Sequence, residues 1–304
     1  MPRELLPAAV PAAAPVNAGP RSQRGVALVI VIWVSMLMLV IASTFIFERR
    51  TEAMVVRNSV SLARAEAAAD AAVQRGIYEM YRSDNPPDRW QRDGTPHDWT
   101  FDAIPVRVEL RDESAKIDLN TAADPLLRGL LVQAGLNDEE APKVLDAILD
   151  WRDQDSLKRP NGAEEADYAA AGLTYKPANA PFQAIEELQL VLGMRAEIYR
   201  RLAPNITVFS RQPGVNPTLA SREVLLAIPG VTPDIVDAYI ARREEARAAN
   251  LPLPTLPQAA GFATGNTMVA SVRATARLED GVVFTREAVA LLRPVPRKPV
   301  TFVA

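Results

Sequence analysis

From Val26 to Phe47 the chain runs for 22 residues without a charge, rich in valine, isoleucine, leucine and methionine. A helix rises about 1.5 Å per residue, so this run spans roughly 33 Å, enough to cross the hydrocarbon core of a bilayer. A chain with such a segment is membrane-inserted, and everything else must fold beside it. Charge does not orient the segment. Arg3, Arg21 and Arg24 precede it and Arg49, Arg50, Arg57 and Arg64 follow, so the positive-inside rule chooses no side. A secretory signal has a shorter apolar core closed by a small-residue cleavage site. Here Ala42-Ser43-Thr44 leads into Phe45, Ile46 and Phe47, which argues against cleavage after the run. An ordinary single-pass anchor satisfies the hydropathy equally well.

Beyond the run, residues 48–82 hold no proline and many alanines. Met54, Leu62, Ala65, Ala69, Val73, Ile77 and Met80 recur at three- and four-residue steps, the pattern of an amphipathic helix. One helix from Val26 to Arg82 would be about 85 Å long. Val106, Val108 and Leu110 then alternate with Arg107 and Glu109 as a half-buried strand. Residues 268–278 and 282–292 read as two more strands joined around Glu279-Asp280-Gly281, a glycine-containing hairpin turn. If these strands share one sheet, the residues between them form an insertion. The expected fold is α+β: a long N-terminal helix with a transmembrane half, a small antiparallel sheet, and a large inserted all-α domain.

The insertion contains a weak internal repeat. Ile117-Asp118-Leu119-Asn120-Thr121-Ala122 leads to Leu126-Leu127 and Gly135-Leu136, while Val215-Asn216-Pro217-Thr218-Leu219-Ala220 leads to Val224-Leu225-Leu226 and Gly230-Val231. Asp146-Ala147 and Asp237-Ala238 recur in the second helix of each copy. Each unit is a helix, a tight glycine turn and a helix, too small to bury its apolar face alone, so the two are expected to pack together. The turn Ile228-Pro229-Gly230-Val231-Thr232-Pro233 resembles that of helix-hairpin-helix and SAM-like modules, which hold phosphate on glycine amides and a helix N-terminus. Thr232 replaces their second glycine and Asp234 opens the next helix. Residues 112–265 carry 15 Lys/Arg against 22 Asp/Glu, whereas a nucleic-acid module needs a basic face. Protein contact is the expectation. A membrane-anchored module binding DNA is the alternative.

Catalysis finds little support. There is no cysteine, and the single histidine, His97, falls in a Pro/Asp/Gly-rich stretch and reads as a solvated loop residue. A nucleophile–base arrangement therefore lacks its parts, and no standard phosphate-cradling glycine loop is present. The paired carboxylates Glu164-Glu165 and Glu186-Glu187 have no recognisable acid/base partners and read as ligands, caps or surface. The densest polar cluster is Asp150-Trp151-Arg152-Asp153-Gln154-Asp155, followed by Gly162-Ala163-Glu164-Glu165-Ala166-Asp167-Tyr168. Alternating carboxylates can converge on a hard cation. The spacing is not that of an EF-hand, and a solvated acidic loop fits it as well.

Two features together carry a resemblance. Arg24-Gly25 before an aliphatic run is similar to the cleavage site of type IV prepilins and pseudopilins. The block from Asp150 through Gly162-Ala163-Glu164 and Tyr168, Tyr175-Lys176-Pro177-Ala178-Asn179-Ala180-Pro181-Phe182, Glu186-Glu187-Leu188, Gly193-Met194 and Tyr199 resembles the K-type minor pseudopilins of type II secretion. The resemblance implies cleavage after Gly25 by a prepilin peptidase, leaving Val26 as a methylated first residue. Most relatives in the wider pilin family carry a glutamate at the fifth mature position, and Ile30 stands there. That departure is the one known for the K branch, thought to occupy the tip of the pseudopilus. The family also implies calcium in the helical domain, with Asp153, Asp155 and Glu164 as the ligands of choice here and Asp150 and Asp167 beside them. The expected organisation is a leader over 1–25, a membrane segment over 26–47, a pilin-like body over 48–117 and 266–304, and an inserted domain over 118–265 with units at about 118–152 and 215–245. The expected protein is not an enzyme. It is anchored once in the bacterial inner membrane with its C-terminal domain in the periplasm, and it supports pseudopilus assembly and export of folded proteins. Its implied partners are the I- and J-type minor pseudopilins, prepilin peptidase and the inner-membrane secretion platform.

Overall fold

The computed structural model describes residues 24–82, 89–249, 251–292 and 300–303; the expected leader lies outside them up to residue 23. Helix α1 covers Arg24–Tyr81. It falls into two parts, with the division after Val60. In the first part the apolar side chains are exposed on every face: Leu28 is 64%, Trp33 68% and Leu39 71% accessible. Four of its hydroxyls bond back to the helix. Ser43, Thr44, Thr51 and Ser59 donate to carbonyls three or four residues back, which satisfies them within the helix as a bilayer requires.

In the second part Ala65, Ala68, Ala69, Ala72, Val73, Ile77 and Met80 are buried. Met54 and Leu62, expected on the same stripe, are exposed; the buried face begins at Ala65. The stripe packs on a five-stranded antiparallel sheet ordered β1-β2-β5-β6-β7. Its strands are β1 (Asp93–Phe101), β2 (Ile104–Asp112), β5 (Val269–Arg277), β6 (Val283–Leu292) and β7 (Val300–Phe302). Val106, Val108 and Leu110 of β2 point inward with Val272 and Ala274 of β5. The contact is close at Gly76, where an added Cβ would lie 2.8 Å from Leu110 Cδ2 and 2.9 Å from Val272 Cγ1.

Strand β1 corrects the sequence reading. Residues 93–98 and His97 read as loop, yet His97 pairs with Val108 and Trp99 with Val106. An edge strand tolerates Pro96 and a bulge between Asp93 and Pro96, features that weaken any strand signal. The two-residue turn Asp102-Ala103 has positive φ at both positions, 46° and 63°, the geometry that matches strand twist.

Between β2 and β5 a second hydrophobic core forms from residues 117–259. The elements are β3 (Ile117–Asp118), α2 (Asp124–Gln133), α3 (Glu140–Arg152), α4 (Glu165–Ala170), α5 (Ala196–Leu202), β4 (Ile206–Thr207), α6 (Arg222–Leu226) and α7 (Pro233–Ala248), with short 3₁₀ turns between them. Gly135 (φ 107°) turns α2 into α3, and Gly230 (φ 79°) lies between α6 and α7. The two helix pairs meet where Gly129 of α2 lies against the Ala227 carbonyl. In each pair an arginine of the second helix reaches back to the loop before the first. Arg152 donates to the Leu119 carbonyl, and Arg243, itself buried, donates to those of Pro217 and Ala220 at 3.0 and 2.9 Å.

Candidate functional site

The acidic loop begins in the last turn of α3. Trp151 stacks on Phe182 at 6.1 Å and meets Tyr168 of α4 at 6.2 Å, so three rings fix both ends of the loop to the core. Asp150 is fully buried. Its carboxylate accepts the Arg159 amide N–H at 3.3 Å and lies 3.5 Å from the Arg159 guanidinium. Gly162 passes so close to it that any side chain there would collide with the carboxylate. Asp146, one turn earlier on α3, accepts the backbone and side-chain N–H groups of Asn161 at 3.0 Å each and holds the glycine in place. The sequence reading missed Asp146, although its four-residue offset from Asp150 puts both on one helical face.

The carboxylates divide into two groups. Among the described residues Asp153 Oδ1 and Glu164 Oε1 are buried without a hydrogen-bond partner. Burial pushes the Glu164 carboxyl above its ordinary range, reinforced by the charges of Asp150, Asp153 and Asp155. Burial and then Asp155 do the same to Asp153, and burial raises Asp150 despite the amides of Arg159 and Ala163. Asp155 itself turns the loop, accepting the Leu157 amide at 2.8 Å. Asp167 belongs elsewhere: it ion-pairs with Lys158 and accepts the Glu164 amide N–H at 2.9 Å, and the Lys158 hydrogen bond lowers its pKa. The loop thus gathers the negative charge of Asp150, Asp153, Asp155 and Glu164, offset in part by the Arg159 guanidinium beside Asp150. As they stand, no three His, Cys, Asp or Glu side chains among the described residues close to metal-holding distance. The two orphaned, buried carboxylate oxygens are nonetheless the donors that a hard cation takes.

Gly25 lies in the first turn of α1, and Val26 and Ile30 follow as exposed residues, 63% and 55% accessible. His97, Glu187 and Glu165 each have local partners. His97 stacks flat on Trp90 at 5.0 Å, with the Arg75 guanidinium 5.5 Å from the same indole. Burial lowers its pKa against the opposing charges of Asp93 and Glu79. Glu187 accepts the amides of Gln183 and Ala184 as a cap, and Glu165 pairs with Lys176. At the Gly230 turn, Thr232 occupies the N-cap position of α7 without a side-chain capping bond and Asp234 sits in the first turn, where a carboxylate opposes a phosphate.

Comparison with known proteins points one way. A family profile described as type II secretion system (T2SS), protein K, matches residues 108–213. The type II secretion system protein K of Pseudomonas aeruginosa is 28% identical over 244 residues, 72% of this chain and 73% of that protein. Its counterpart from Klebsiella pneumoniae is 29% identical over 230 residues, 67% and 69% of the two chains. A chain in the crystal structure of the GspK-GspI-GspJ complex from the type 2 secretion system of enterotoxigenic Escherichia coli superposes with a TM-score of 0.61. It is 16% identical, with 81% of this chain and 96% of that chain covered. The long helix and antiparallel sheet are common to this fold.

Proposed function

We propose a role for this chain from the family to which it belongs, type II secretion system protein K. It is a minor pseudopilin of type II secretion, and its work is assembly rather than chemistry. The observation that carries this reading is α1, whose first part exposes apolar side chains on every face while its second part is buried against the sheet. Prepilin peptidase cuts after Gly25 and Val26 becomes the methylated N-terminus. The helix then sits in the inner membrane with the remaining chain in the periplasm. Ile30 offers no carboxylate to pair with the N-terminus of a subunit above, which suits a position at the tip. That the structural neighbour comes from a GspK-GspI-GspJ complex supports I- and J-type minor pseudopilins as the partners; in this reading the chain caps them and the pseudopilus supports export of folded proteins. The division is a pilin-like body over 48–117 and 266–304 and an insertion over 118–265 whose paired helices are of the helix-hairpin-helix, SAM-like kind, used for protein contact.

Calcium belongs to this proposal. Asp153, Asp155 and Glu164 would hold it, with Asp150 behind them and Asp167 left to its lysine. A bound divalent cation supplies the counter-charge that these carboxylates lack and pins the loop between α3 and α4.

Mass spectrometry of the membrane-extracted protein, made with and without prepilin peptidase, tests processing. A methylated chain beginning at Val26 only when the peptidase is present is the expected result, and an intact leader in both would overturn it. Replacing Ile30 by glutamate is expected to impair secretion by letting the protein enter the filament interior. Unchanged secretion with unchanged tip location would remove the capping role.

A further inference from the structure

Residues 112–265 are acidic as a whole, yet one cavity in this region reverses the sign. Its volume is about 460 Å³, and its walls include Arg111 of β2, Gln133 of α2, Arg200 and Arg201 of α5, and Ser221 and Glu223 at the start of α6. Three arginines and one carboxylate, Glu223, line it, and Glu197 outside the lining pairs with Arg201 at 2.5 Å, so the uncompensated charge rests on Arg111 and Arg200. Two of the three are seated by glycines. An added Cβ at Gly94, which has φ 87° in the bulged part of β1, would lie 2.7 Å from Arg111 Nη2. One at Gly135, with φ 107°, would lie 2.7 Å from Arg201 Nη1. Arg201 is further fixed by donating to the Ala134 carbonyl at 3.0 Å, at the C-terminal end of α2 where the helix dipole favours a cation.

The other two guanidinium groups have no such partner. Among the described residues Arg111 makes no ion pair, and Arg200 makes only a 3.3 Å bond from Nε to the Ala196 carbonyl of its own helix. Like charges brought to one cavity repel unless an anion joins them. Guanidinium forks match the planar carboxylate bidentately. Leu130, Ala134 and Pro204, with Asn205 beside them, complete the lining, and the apolar part of this surface is of use to a peptide but not to a hydrated inorganic ion. The volume lies within the range of sites that enclose small ligands and short segments.

We propose that this cavity binds the carboxylates of an acidic peptide segment on a partner protein. Arg111 and Arg200 take the carboxylates, while Arg201, held by Glu197 and the Ala134 carbonyl, forms a fixed wall and the Gln133 and Ser221 side chains meet the peptide backbone.

The test uses the full chain in detergent and a fluorescein-labelled peptide of alternating aspartate and glutamate, followed by anisotropy at low salt. Saturable binding that weakens as salt rises is expected. Arg111→Gln and Arg200→Gln should each weaken it roughly tenfold or more, the loss typical of a charge-assisted pair. Arg128→Gln, on the exposed face of α2 outside the cavity, should leave it unchanged. Because Arg200 is exposed, Arg200→Glu tests the site without touching the core and should abolish binding with the melting temperature kept. Equal affinity in Arg200→Glu and the unaltered chain would overturn the proposal. Citrate or inorganic phosphate binding where the peptide does not would overturn it too, since the site would then be one for free anions.

Discussion

Gly129 lies where α2 meets α6, and a methyl group there would run into the Ala227 carbonyl. In an isolated helix Gly→Ala is worth about 1 kcal/mol of stabilisation. Here neither backbone has room to give, and overpacking of this kind costs about 1–3 kcal/mol or more. Gly129→Ala should therefore lower the melting temperature despite its better helix propensity; a rise would mean that α2 and α6 can separate freely. Asp118 makes the complementary case for a polar group. It is fully buried, and Oδ1 accepts the amides of Asn120 and Thr121 while Oδ2 accepts Ser210 Oγ and the Arg211 amide at 3.2 and 2.8 Å. Asn at this position turns one acceptor into a donor facing two donors. Asp118→Asn should cost about 1–3 kcal/mol, read from the denaturation midpoint, and an unmoved midpoint would refute the account. Neither residue was legible as a packing point. Gly129 shows its purpose only against a backbone nearly a hundred residues away, and Asp118 was visible only as a member of a repeat.

The acidic loop between α3 and α4 was half legible. Carboxylate spacing singled out Asp150, Asp153, Asp155, Glu164 and Asp167, and four of them share one electrostatic field. Asp167 leaves the set because the start of α4 and Lys158 claim it, contacts that depend on where the helix begins. The raised carboxyl pKa values of Asp150, Asp153 and Glu164 fix a sign. The folded chain holds these protons more tightly than the unfolded one, so their ionisation destabilises the fold. With chelator present, this loop's contribution to stability should fall as pH rises through the raised pKa values and improve as pH drops toward the ordinary carboxylate range. Calcium must find its ligands deprotonated, so its stabilisation should be larger at pH 7 than at pH 4. Glu164→Gln separates the two effects. Without calcium it should raise the melting temperature at neutral pH, by about 2–4 °C if the relief is near 1 kcal/mol. The same substitution should shrink the shift that millimolar calcium produces. A neutral-pH melt lowered by Glu164→Gln in chelator, or a calcium shift left intact, would show that Glu164 is not strained by its neighbours.

At the scale of the whole chain, the alternation of β2, β5 and β6 made their pairing legible across more than 150 residues, because a two-residue period survives any insertion between strands. Strand β1 stayed hidden behind Pro96 and its bulge. The crossings between the two cores carry their own device. Asp112, at the end of β2, is buried; its Oδ1 accepts the Ser114 amide and both the amide and hydroxyl of Thr267, and its Oδ2 lies 3.2 Å from Arg92. One carboxylate thus ties the outgoing chain to the returning one just before Asp112 pairs with Ala270. The body around α1 and the sheet has its own core, made from residues 65–110 and 270–292, and should not need the helical insertion in order to fold. Replacing residues 114–268 by Asn-Gly makes β2 and β5 a two-residue hairpin of the favoured turn type. Removal of Thr267 would leave Asp112 a buried charge short of donors, so the excision should also carry Asp112→Thr. The shortened chain, extracted in detergent, should melt cooperatively and keep its strand signal in circular dichroism. The same excision with Asp112 retained should be less stable, by the cost of an under-satisfied buried carboxylate. Loss of the cooperative transition in both chains would mean that the sheet depends on the insertion for its stability, and equal stability of the two would mean that the Asp112–Thr267 tie has no structural weight.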